Sequence, residues 1–99
     1  MGVRSRSSAG GAQFGLAVAG SVVTLNVPNG ANVAEINVRT AAVVFTRDGT
    51  APTATLGTQA AVDDIIVLNS RDELEKFKVI RQSGVSATVD VEYFTDLSG

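Results

Sequence analysis

Val85-Ser86-Ala87-Thr88-Val89-Asp90-Val91-Glu92-Tyr93-Phe94 decides the fold class. Val85, Ala87, Val89, Val91 and Tyr93 fall on one face of an extended chain, and Ser86, Thr88, Asp90 and Glu92 on the other. Period-two alternation over this length is the mark of a strand with one face on a core and one in water. Residues 95–99 read as a short tail. Upstream, Ser83-Gly84 has the composition of a two-residue hairpin link to a strand over residues 77–82, with Phe77 and Val79 on one face and Ile80 on the other. Ser70-Arg71-Asp72-Glu73 has the spacing of a helix capping box. Only about one helical turn fits before Phe77. Ile65-Ile66-Val67-Leu68 is a continuous apolar run, expected of a strand covered on both faces or lying next to a bend.

The same alternation fills the first half. Phe14, Leu16 and Val18 share a face. Gly20 interrupts, and Val23, Leu25 and Val27 then share one, closed by the turn residues Pro28-Asn29-Gly30. Ile36 and Val38 alternate with Glu35, Asn37 and Arg39. Val43 and Phe45 continue on the opposite phase. Such a flip requires either a bulge near residues 40–42 or a strand that changes sheets. Arg47-Asp48-Gly49-Thr50 signals a turn. Residues 53–56, behind Pro52, are expected to form a short edge strand. Seven or eight short strands at this spacing predict an all-β fold, an antiparallel β-sandwich of jelly-roll type, over residues 14–99.

Residues 1–13 lack the apolar content to offset their ordering entropy and are expected to form a flexible N-terminal arm. Arg4 and Arg6 face no acid there, so the arm carries +2, whereas residues 14–99 hold six basic and ten acidic residues, or −4. An acidic body is a poor footprint for nucleic acid. A basic arm suits an acidic neighbour or another copy of the chain. The apolar stretch over residues 14–27 is too short and too interrupted to span a bilayer, so no membrane partner is expected.

Composition narrows the chemistry. Among 99 residues there is no Cys and no His, which excludes disulfides, Cys or His metal sites, a thiol nucleophile and a His-based triad. Val, Ile and Thr make up 28 residues, stiff at χ1 and suited to a pleated surface. The remaining chemistry would rest on carboxylates, Ser, Thr, Tyr, Lys or Arg. Asp63-Asp64 and the Asp72-Glu73-x-Glu75 group are read as solvated turns, because the dense oxygen-ligand spacing of a calcium loop is missing. Phosphate-binding glycine motifs are absent. Phe77 and Tyr93 are assigned to the core. No enzymatic activity, cofactor or metal is expected, which leaves the loops over residues 29–34, 47–57, 59–63 and 69–76 as the natural contact surfaces.

Arg47-Asp48-Gly49-Thr50-Ala51-Pro52-Thr53-Ala54-Thr55-Leu56-Gly57 sits between two β segments. Phe77-Lys78-Val79-Ile80, a Ser/Gly turn and Ala87-Thr88-Val89-Asp90-Val91-Glu92-Tyr93-Phe94 follow. Over residues 22–94 this pattern resembles the small β-sandwich structural proteins of tailed bacteriophages and prophages, among them capsid decoration (cement) proteins. The resemblance implies a non-enzymatic virion component, assembled in the bacterial host cytoplasm, that binds the major capsid protein on the outer head surface and stabilises the head. It also implies a homo-oligomer, trimer or dimer. Expected partner-binding residues are Arg4, Arg6, Arg47, Asp48, Thr50 and Pro52; no catalytic residue is carried over. The alternatives are a head or tail fibre module that binds a host glycan through residues 47–57, and a head–tail connector component. A small carboxylate hydrolase is a third class.

Overall fold

The computed structural model describes residues 6–96. Eight strands and one short helix follow in order: β1 (Arg6–Val18), β2 (Val23–Thr24), β3 (Val33–Val38), β4 (Val43–Thr46), β5 (Thr58–Ala60), β6 (Ile65–Leu68), α1 (Arg71–Lys76), β7 (Lys78–Arg81) and β8 (Ala87–Asp96). The pairing has a simple rule. β1 pairs with β8, β2 with β7, β3 with β6 and β4 with β5, so each pair of labels sums to nine. The chain is therefore one long antiparallel hairpin with its tip between β4 and β5. Two further pairings, β3 with β8 and β4 with β7, fold it over. The result is two four-stranded antiparallel sheets, ordered β1-β8-β3-β6 and β2-β7-β4-β5.

The core draws on both sheets: Ile36, Val38, Leu68, Val89, Val91 and Tyr93 from one, and Val43, Phe45 and Val79 from the other. The Phe45 ring stacks on Phe77 with centroids 5.6 Å apart. The alternation of β8 holds for Ala87, Val89, Val91 and Tyr93, all buried. Val85 departs from it. The strand begins at Ala87, and Val85 lies in the preceding loop, 61% exposed. Ser83-Gly84 does not link a hairpin either, because β7 and β8 belong to different sheets. The phase flip after Val38 resolves as a change of sheet between β3 and β4. Thr40 holds that corner by accepting the Thr88 N–H at 2.9 Å. Residues 53–56 form no strand. Thr53 and Leu56 close on each other through two backbone hydrogen bonds, and the edge of that sheet is β5 instead. The apolar run of β6 is an edge strand, with Ile65 turned outward and Ile66 and Leu68 buried.

The flexible-arm expectation is corrected over residues 6–13, which form the first part of β1 opposite β8. Composition weighs side-chain burial, but an edge strand is held through backbone hydrogen bonds that Ser and Gly make as well as Val. Arg4 lies outside the described residues. Arg6 sits in β1, in register with Asp96. The shared face of Phe14, Leu16 and Val18 is also broken. A register shift between Gln13 and Leu16 accommodates Gly15 at φ +68°, turning Phe14 out to 70% exposure while Leu16 and Val18 face the core. Such a bulge re-aims a side chain without ending the strand.

Ser70 caps α1, accepting the Glu73 N–H at 3.1 Å; Glu73 in turn accepts the Asn69 N–H at 2.9 Å. The helix buries Leu74 and presents Arg71. The Arg71 guanidinium donates to the Pro28 and Ala31 carbonyls at 2.7 and 3.1 Å and to Glu75 at 2.8 Å, pinning the β2–β3 connection. Arg71→Ala is expected to lose about 2 kcal/mol, read as a lower urea midpoint with unchanged slope.

Tyr93 ties β8 to β1 and to the segment that follows β2. Its hydroxyl donates to Gln13 Oε1, which also accepts the Asn26 N–H at 3.1 Å. Burial pushes the phenol up to about 12, above its unfolded value of about 10. The folded state therefore holds this proton more tightly than the unfolded one. Stability is unaffected below pH about 10 and falls between about 10 and 12. Tyr93 is the chain's one tyrosine, so its phenolate absorbance titrates a single group. Tyr93→Phe is expected to flatten that part of the alkaline stability curve.

Candidate functional site

The tip of the long hairpin carries the loop over residues 47–57, between β4 and β5. β4 brings Phe45 into the core, and the chain then turns through Arg47-Asp48-Gly49-Thr50. Asp48 accepts the Thr50 N–H at 3.0 Å, Thr46 donates its hydroxyl to the Thr50 carbonyl at 2.5 Å, and Gly49 supplies φ +90°. This is an Asx-type turn, in which a side chain stands in for a backbone acceptor. The Thr50 backbone N–H and hydroxyl, with Lys76 nearby, hold the Asp48 carboxyl below the usual carboxylate range.

Arg47 lies over the Phe45 ring, its guanidinium carbon 5.0 Å from the centroid. Cation–π contact with a ring that is itself stacked on Phe77 gives the guanidinium a rigid seat. Beside it is a shallow concavity of about 280 Å³, lined by Phe45, Thr46, Arg47, Asp48, Gly57 and Thr58. Gly57 is required there. Its φ is +130°, and a Cβ would fall 2.7 Å from Val44 Cγ1 and 2.9 Å from the Phe45 carbonyl oxygen. That close approach lets the returning loop cover Val44, which is buried although it points away from Val43 and Phe45 along β4.

Of the expected contact residues, Arg47 and Asp48 line this concavity together. Thr50 braces the turn beneath them. Pro52 is buried, so its ring is withdrawn from solvent. Arg6 belongs to the other sheet. Phe45, Gly57 and Thr58 were not singled out by sequence reasoning. The alternation of β4 marked Phe45 for the core, and nothing local showed that Arg47 would settle over its ring.

Most side chains of the Asp63-Asp64 pair and the Asp72-Glu73-x-Glu75 group take part in hydrogen bonds or ion pairs of the scaffold. Asp63, at φ +75°, donates its N–H to the Val38 carbonyl at 2.8 Å, and Asp64 accepts the Ala61 N–H at 2.8 Å. Asp72 pairs with Lys76 at 3.3 Å and Glu75 with Arg71 at 2.8 Å. Among the described residues no cluster of three or more acidic side chains is placed to hold a metal ion, and no helix is long and apolar enough to cross a membrane. The Arg47 guanidinium, with five N–H donors in a planar fork, suits a carboxylate or a sugar hydroxyl pair. No protein-family model matches the chain, and no curated protein and no solved structure matches it.

Proposed function

We propose that the chain is a jelly-roll sandwich and serves as a structural protein of a tailed-phage virion, a decoration (cement) protein bound to the major capsid protein on the outer head surface. The observation that carries this reading is the strand order, β1-β8-β3-β6 over β2-β7-β4-β5. That order arises when a single eight-strand hairpin is wrapped into two sheets, and double-sheet jelly rolls recur in viral capsid and lectin domains. The resemblance of residues 22–94 to phage structural proteins points the same way. In this reading the Arg47 concavity and the basic N-terminus meet the capsid, and the protein performs no chemistry. Docking on a large surface would also stabilise a small domain by mass action.

The test is co-sedimentation of the purified chain with assembled capsids of the virus that encodes it. Binding is expected to saturate at a stoichiometry fixed by the capsid lattice and to raise the temperature at which the capsid disassembles. Arg47→Ala is expected to weaken that binding while leaving the melting temperature of the free chain within a few degrees. Absence of capsid binding overturns the reading. The second reading, a glycan-recognition module, is favoured by the concavity itself, whose volume accommodates a single sugar ring. A specific sugar on a glycan array, abolished by Arg47→Ala and without capsid binding, selects it.

A further inference from the structure

The cations of the two sheets are unevenly committed. Arg39 pairs with Asp90, Arg71 holds Glu75 and two backbone carbonyls, and Arg81 reaches the Ser86 hydroxyl. Of these four arginines only Arg47 has no hydrogen-bond acceptor among the described residues; it rests on the Phe45 ring instead. The chain's two lysines border the same turn. Lys78 of β7 stands in register with Thr46, which lines the concavity. The Lys76 side chain runs beside Gly49, its Cγ 3.9 Å from where a Cβ there would sit.

The nearby acids already have partners. Asp48 accepts the Thr50 N–H, Asp72 pairs with Lys76, Glu73 accepts the Asn69 N–H and Glu75 takes Arg71. Residues 49–62 carry no charge. Around the turn three cations, Arg47, Lys76 and Lys78, therefore meet two anions, Asp48 and Asp72. The other residues from 14 onward hold three cations and eight anions. A polyanion such as nucleic acid that reached this positive spot would meet the surrounding carboxylates. A lone carboxylate set among neutral residues would not. The seat of Arg47 adds to the match. Exposed ion pairs are usually worth little, in part because they immobilise two long side chains. Arg47 already lies over a ring that is itself stacked on Phe77, so less freedom is lost on pairing. Its planar fork fits both oxygens of a carboxylate. Phe45 is only 4% exposed beneath it, which leaves no open aromatic face for a sugar ring.

We infer that the turn over residues 46–50 docks a carboxylate side chain, Asp or Glu, carried on an otherwise neutral stretch of a partner protein. Arg47 takes the carboxylate through its fork, and Lys76 and Lys78 stand at the rim. The inference rests on the capsid reading for its partner, the major capsid protein, and supplies the chemistry of that contact.

Carbodiimide cross-linking of the full chain on capsids tests it, together with co-sedimentation of charge variants. The reagent activates a carboxyl group and leaves as a urea when a touching lysine amine forms an amide bond with it. Lys76 and Lys78 are the chain's only lysines, so their cross-links report on this turn alone. The expected product joins one of them to an Asp or Glu of the capsid protein, located by mass spectrometry. Arg47→Glu is expected to weaken capsid binding roughly tenfold or more, and Arg47→Lys by less. Wild-type binding should weaken as salt rises. Arg47 is exposed, so both variants should melt within a few degrees of the wild type. Binding indifferent to Arg47→Glu overturns the inference and leaves the capsid reading standing. So do cross-links that run only from carboxylates of this chain to capsid lysines. No capsid binding overturns both. A carboxylated glycan bound in place of capsids assigns the fork to a sugar and overturns the inference equally.

Discussion

Phe77→Ala is expected to cost about 4 kcal/mol, the usual range for removing a fully buried phenylalanine. Phe77 is 0% exposed and sits where α1 ends and β7 begins. Its ring is the surface on which Phe45 stacks. A domain of this size has total stability of roughly 5–15 kcal/mol, so the loss is a large share of it. The melting temperature should fall roughly 15–30 °C. The effect reaches the candidate site through contact. Arg47 rests on Phe45, and Phe45 rests on Phe77. In the folded fraction, the ring-current shift of the Arg47 side chain is expected to shrink. Phe77→Leu, which keeps more of the volume, should lose less stability. An unchanged Arg47 signal in Phe77→Ala would break the proposed chain of support.

Gly57→Ala is the second large effect, expected at about 3 kcal/mol. Two penalties add. A side chain at φ +130° is strained in any surroundings. The new methyl also meets Val44 Cγ1 and the Phe45 carbonyl oxygen within 3 Å, so the loop packed over Val44 or the β4 backbone must shift. Gly15→Ala separates the two penalties. Gly15 has φ +68° with nothing within 4 Å of the Cβ position, so strain alone applies, about 1 kcal/mol. Chemical denaturation of both variants measures the difference. Equal losses would mean that the 47–57 loop yields freely and that the concavity has no fixed floor.

Much of the fold was legible in local pattern, because burial on one face of a strand writes itself as period two. Ala87, Val89, Val91 and Tyr93 of β8 went to the core as expected, and so did Ile36 and Val38 of β3. The Ser70 cap was legible for the same kind of reason, since its partners lie within four residues. The errors share a cause as well. Phe14 and Val85 continue a periodic pattern on paper, but the strand ends at one and bulges at the other. Periodicity carries no signal for where a backbone gains a residue or stops. Residues 6–13 carry no strand signal in their side chains, because what orders them is backbone pairing with the distant β8.

The candidate site was legible only in part. Arg47, Asp48 and Thr50 were marked by their turn chemistry, which is local. Their seat was not, because Phe77 lies thirty residues further along the chain, and Gly57 looked like an ordinary loop glycine.

By itself the sequence determined that the chain is mostly β, where most of its strands lie, and that it has no thiol or imidazole. These follow from residue type and spacing within a few positions. Only the tertiary structure decided that strands pair as one folded hairpin, that Pro52 is buried, and that residues 6–13 join β8. Pairing depends on which distant backbone edges meet, and local alternation is the same whichever neighbour a strand finds.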